Sequence, residues 1–242
     1  MFRSILWYSN FALSLVGTIP SMLKVKKYDK NNKTEDDKKK REDFVYDFVT
    51  NWAKNRLKSA GATIKVYGED NIPEGESVLF MSNHQSNFDI PLLLGFINTH
   101  KGFVAKLELG QIPILNKWME NIDCVFMDRS SIRKSAEAIA ETTKLLKRGR
   151  SMVIFPEGTR SCCNTMGEFK AGSFKLATKS KVKIVPITIN GSYKLMEANG
   201  NKIKPSEVEM YIHTPIETKG LTKEEEDMLP DKVKAIIASK LN

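Results

Sequence analysis

Apolar and polar positions change their rhythm three times along this 242-residue chain. From Ser4 to Leu23 no side chain is charged, while Arg3 precedes this stretch and Lys24, Lys26 and Lys27 follow it. Twenty residues can just cross a bilayer, but six of these are Ser, Asn or Thr. Basic residues at both ends give no orientation, and Pro20 followed by a basic run is unlike a cleavable signal. Three readings stay open: a helix lying in the membrane interface, a single span, or an ordinary buried helix. Residues 29 to 43 carry six basic and six acidic side chains, which reads as a solvated connection. Thr34, with acids at 35 to 37, is a candidate helix cap inside it. Phe44, Val45, Phe48, Val49 and Trp52 then recur at helical spacing as far as Leu57, and Gly61 ends the helix.

From Ala62 short β-rich runs alternate with helical patterns. Strands are predicted at TIKVYG, SVLFMS, GFVAK, CVFMD, SMVIFP, KIVPITI and EVEMYIH. Helices are predicted at DIPLLLGFIN, IPILNKWMENI, SSIRKSAEAIAETTKLLKRG and FKAGSFKLATKS, with a terminal helix from Lys223 broken near Pro230. Such alternation predicts an α/β domain over 61–242 with a mixed, largely parallel central sheet flanked by helices. An N-terminal helical segment, 1–60, precedes it as a two-helix membrane-associating unit.

Composition narrows the partner. Lys and Arg number 38 against 29 acids, a net charge of +9, which favours an anionic partner without choosing among a phosphorylated substrate, an acidic lipid surface and nucleic acid. Cys124, Cys162 and Cys163 form neither a disulfide framework nor a zinc site. Phosphate-loop, dinucleotide, zinc-protease and serine-elbow motifs are absent.

Two strand ends carry the candidate chemistry. In NHQSNFD, residues 83 to 89, His84 follows a strand and Asp89 falls at the first turn of the next helix. A carboxylate folded back there can fix the imidazole tautomer and stabilise its cation, a general-base pair, although an Asp capping a helix beside a structural His has the same spacing. In FPEGTRS, residues 155 to 161, Gly158 lets the backbone approach a ligand and Arg160 offers a planar fork suited to phosphate. The bland alternative is a βα turn with a surface arginine.

The two stretches, in this order and about 70 residues apart, closely resemble the H-x4-D and FPEGTR motifs of the glycerolipid acyltransferase family, in particular its bacterial 1-acylglycerol-3-phosphate branch. Residues 103 to 129 resemble the family's second block, FKAGSFKLA the segment after FPEGTR, and VPITI the fourth block. Asn116 and Asp123 stand where glycines are common in the second block, which puts the local turns in question. The resemblance implies that His84 deprotonates an acceptor hydroxyl as it attacks an acyl thioester, and that Asp89 orients His84. It implies that Arg160, with Lys106, holds the acceptor phosphate, within a loop shaped by Glu157, Gly158 and Thr159, and that Arg129 is a further candidate. The reaction so implied makes phosphatidic acid from lysophosphatidic acid and acyl-CoA or acyl carrier protein. It needs no metal and no cofactor beyond the thioester co-substrate, and would take place at an anionic membrane surface on the cytoplasmic face of the cell membrane. Glycerol 3-phosphate or another lysolipid is the alternative acceptor. A non-catalytic binder of acidic lipid or nucleic acid is the rival of another class, although no nucleic-acid motif accompanies the charge.

Overall fold

The computed structural model describes residues 2–241. At its centre is β2 (Val78–Ser82), buried at all five positions. A strand that is apolar at successive positions needs cover on both faces. Val78 and Phe80 pack into one core, Leu79 and Met81 into another on the opposite side of the sheet. Around β2 stand β1 (Ala62–Tyr67), β3 (Lys101–Lys106), β4 (Val125–Met127), β5 (Ser151–Ile154), β6 (Lys183–Asn190) and β7 (Ser206–Ile212), in the order β1-β7-β6-β2-β5-β3-β4. The five from β6 to β4 run parallel. β7 meets β6 antiparallel and pairs with β1 in parallel, which makes the sheet mixed.

Helices cover both faces. α3 (Glu35–Ala60) and α4 (Asp89–Phe96) bring Val49, Ala53, Leu57, Leu92 and Leu93 to the Phe80 side. α6 (Ile132–Lys147), α7 (Ala171–Ser180) and α8 (Lys223–Ala238) bring Leu146, Phe174, Leu176, Val233 and Ile237 to the Leu79 side. α5 (Leu115–Asn121) bridges β3 and β4.

The amino-terminal quarter departs from expectation. The uncharged stretch is split by a turn at Gly17–Thr18 into α1 (Phe2–Val16) and α2 (Ile19–Asn31), with Pro20 in the first turn of α2, where a missing N–H costs nothing. Three helices therefore precede β1 instead of two. Among the described residues no helix is long and apolar enough to cross a membrane, so the reading as a single span falls. Residues 29 to 43 are mostly helix instead of a solvated connection, because their opposite charges are spaced to pair along one helix surface, as in Lys38–Glu35 and Lys40–Asp36. Thr34 does cap α3, in a reciprocal capping box with Asp37.

Pro230 does not break α8. It removes one backbone donor, but Leu229, Val233 and Ile237 anchor the helix on both sides of that gap. The two non-glycine positions of the second block are also accommodated. Asp123 adopts the left-handed conformation itself (φ 58°), which Asp tolerates better than most residues. Asn116 sits inside α5 and donates to the Gly110 carbonyl.

Candidate active site

Strand register brings the two motifs together. β2 and β5 are neighbours with Met81 opposite Ile154, so both chains leave the sheet at one edge. His84 lies three residues past Met81, and Glu157 three past Ile154. Equal reach gives contact: Glu157 Oε1 accepts from the His84 backbone N–H at 2.7 Å, and Oε2 accepts from Gly167 N–H at 2.6 Å. Burial raises the Glu157 carboxyl above the usual carboxylate range, against the lowering effect of those bonds. With a backbone donor on each oxygen, Glu157 is a strut between the His84 turn and the segment at Gly167.

Asp89 opens α4 and is fully buried. Its Oδ2 accepts from the backbone N–H groups of Gln85 and Ser86 at 2.7 and 2.8 Å, and lies 2.7 Å from His84 Nδ1. The other oxygen accepts from Ser192 Oγ. The Nδ1 bond assigns a proton to that nitrogen and leaves Nε2 to act as a base. The Phe155 ring stacks on the imidazole, 3.9 Å between centroids, and Ser161 N–H donates to the His84 carbonyl at 2.8 Å.

The residues flanking His84 fasten this turn to neighbouring strands. Asn83 exchanges two 2.8 Å bonds with the Ile189 backbone of β6. Gln85 accepts from Gly191 N–H at 2.9 Å and donates to Asn164 Oδ1 at 2.8 Å. Sequence reasoning passed over Asn83, Gln85, Ser192 and Glu197. The first two had a signal: they alternate about His84 in an extended segment and so point to the same face. Ser192 and Glu197 had only a polar turn after VPITI.

Arg160 is 36% exposed at its side chain and donates from Nη1 to Glu197 Oε1 at 2.9 Å. Gly158 has φ 73°, the left-handed region that favours glycine. Its carbonyl accepts from Arg129, which gives Arg129 a partner within the loop. Thr159 is exposed between them. Lys106 ends β3 at the same carboxyl edge and pairs with Glu108 at 3.0 Å on the surface. Cys162 and Cys163 are exposed just past Arg160, whereas burial pushes the Cys124 thiol up to about 12.

An imidazole backed by a buried carboxylate, set where parallel strands end, gives an α/β protein equipped for general-base chemistry. The acyltransferase family model matches residues 63–190, and the chain belongs to that family. A relative from Borreliella burgdorferi, a 1-acyl-sn-glycerol-3-phosphate acyltransferase, is 34% identical over 75% of this chain and 73% of its own length. The probable 1-acyl-sn-glycerol-3-phosphate acyltransferase of Mycoplasma pneumoniae is 34% identical over 64% of this chain and 62% of its own. The match to its Mycoplasma genitalium counterpart spans 58% of that protein, so the chain spans about three-fifths of these two relatives. The crystal structure of the 1-acyl-sn-glycerophosphate acyltransferase PlsC from Thermotoga maritima superposes with a TM-score of 0.84 at 28% identity. That match covers 99% of this chain and 93% of the other.

Proposed function

We propose that the protein transfers a fatty acyl group from an acyl thioester to the sn-2 hydroxyl of 1-acylglycerol 3-phosphate, forming phosphatidic acid. His84 Nε2 takes the hydroxyl proton as that oxygen attacks the thioester carbonyl. Asp89 keeps the proton on Nδ1 and stabilises the imidazolium. The carbon–sulfur bond then breaks, and the departing thiolate takes the proton back from His84 and leaves as the thiol. A thioester is already activated, so positioning and one base suffice. Arg160 holds the acceptor phosphate, assisted by Lys106.

The observation that carries this reading is the 2.7 Å contact between His84 Nδ1 and wholly buried Asp89, at the edge that also carries Arg160. The names of the relatives support the choice of acceptor.

The amino-terminal helices bring this site to lipid. Phe2, Ile5, Leu6, Leu13, Val16, Ile19 and Leu23 are exposed, an apolar surface suited to burial at a bilayer interface, with the bases of α2 beside it. The other side of α1 meets the site: the Trp7 ring lies 5.2 Å from that of Phe88, inside the His84–Asp89 turn. The cytoplasmic leaflet, rich in anionic lipid, is the surface that this charge fits.

Acceptor choice is tested with the purified full chain, an acyl thioester, and lysophosphatidic acid or glycerol 3-phosphate, reading thiol release and lipid product. Faster turnover of lysophosphatidic acid supports the proposal; preference for glycerol 3-phosphate would reassign the acceptor.

A further inference from the structure

Glu197 lies beyond residues 63–190 that the family model matches, in a single helical turn between β6 and β7. Its side chain is only 4% exposed, and a carboxylate so enclosed is costly unless paired. Three donors from two different loops meet it. Ser86 Oγ donates to Oε2 at 2.6 Å and Asn87 N–H to Oε1 at 3.0 Å, both from the turn between His84 and Asp89. The third is Arg160 Nη1, at 2.9 Å from Oε1.

We infer that Glu197 is a positioning residue that ties Arg160 to the turn bearing the general base, and so fixes the span from phosphate to reacting hydroxyl. The inference rests on the reading of Arg160 as the phosphate holder. The acceptor's phosphate and its sn-2 hydroxyl are joined by a short run of covalent bonds. If Arg160 drifts relative to His84, either the phosphate contact or the attack geometry is lost. An arginine on an exposed loop drifts unless something holds it, and Glu197 occupies one Nη1 donor while the guanidinium has four more for a bidentate grip on phosphate. Glu197 also sets the local charge. Paired with Arg160 it is neutralised; without Arg160 it is a buried anion beside the site that must receive another anion.

This charge balance gives a test that a merely structural residue would fail. Steady-state constants are measured for lysophosphatidic acid and for monoacylglycerol with wild type, Glu197→Gln, Arg160→Ala and the double variant, each checked for folding by its thermal midpoint. The amide keeps the shape but weakens the charge-assisted bonds. Glu197→Gln is therefore expected to lose roughly tenfold in kcat/KM on the phosphate acceptor and much less on the neutral one. Arg160→Ala should lose roughly 10²-fold on the phosphate acceptor. The double variant should be no worse than Arg160→Ala, and should recover several-fold, because the unpaired carboxylate has gone. Multiplied losses in the double variant would overturn the inference, even if monoacylglycerol proves too poor an acceptor to compare. An Arg160→Ala loss equal on both acceptors would instead remove the phosphate reading beneath it.

Discussion

His84 can act as a base only while its ring is held, and the surrounding residues hold it from several sides: Asp89 on Nδ1, Phe155 on the ring face, Glu157 and Ser161 on its backbone. His84→Ala should lower turnover by roughly 10²-fold or more with the fold intact. Asp89→Asn separates charge from shape. Its amide oxygen can still accept from Gln85 and Ser86, and its NH2 can face Ser192 Oγ, which is able to accept. A large loss of thiol release in a variant with an unchanged thermal midpoint would assign the effect to the missing negative charge; near-normal transfer would remove Asp89 from the mechanism. The spacing of His84 and Asp89 was legible because a strand end followed by a helix start brings residues five apart together. Ser192 reaches Asp89 from 103 positions away, and no local pattern encodes that contact. Another buried group offers a pH test away from the site. Lys101 donates to the Ile97 and Thr99 carbonyls, and burial pushes its pKa down to about 7. An unfolded lysine holds its proton to about 10.4, so between these values the unfolded chain binds more protons, and stability from this residue rises with pH. Denaturant midpoints of wild type minus Lys101→Met should climb from pH 7 to 10 and stay flat below 7; a pH-independent difference would contradict the assignment.

The seven strands were readable because the change at Ala62 from helical to short β-rich runs is a change of period. β2 was legible as a strand from its apolar run Val78–Met81, but its central place in the sheet came only with the structure. The amino terminus was read less well. An uncharged run of twenty looks continuous by composition, but Gly17 and Thr18 turn the chain and Pro20 starts a new helix. The charge run from Asp29 to Asp43 is neutral by count, and only its spacing shows that it is helical. These helices are also part of the core: Val25 is buried there, Thr18 Oγ1 accepts from Trp118 Nε1 at 2.9 Å, and Arg56 of α3 donates to Asn10. Deleting residues 1–28 would therefore strip the core as well as the exposed apolar surface. Replacing Leu6, Leu13 and Leu23 by Asn leaves the packing alone, since all three are exposed. Each leucine buried in lipid contributes about 1.5–3 kcal/mol, so vesicle binding should fall roughly tenfold or more per residue. Transfer to a short, dispersed acceptor should continue. Unchanged partitioning of the triple variant onto anionic vesicles would show that these helices do not hold the protein at the membrane.

At the scale of the whole molecule, a net charge of +9 selects an anionic environment without naming it. The sheet supplies the order that charge lacks: β6, β2 and β5 end side by side, so the Ser192 turn, the His84 turn and the Arg160 loop share one edge. Salt should release the protein from vesicles only in part, because screening weakens the charged contacts and leaves the apolar surface of α1 and α2 engaged. In the proposed reaction, a base and a phosphate holder act on one acceptor. Arg160→Lys keeps the charge but removes the planar fork. The most direct measurement is the ratio of kcat/KM for lysophosphatidic acid to that for monoacylglycerol, in wild type and in Arg160→Lys. The ratio should fall by roughly tenfold or more, carried almost entirely by the phosphate acceptor. An unchanged ratio, with both acceptors losing equally, would mean that Arg160 only supports its loop, and would contradict recognition of the acceptor through its phosphate.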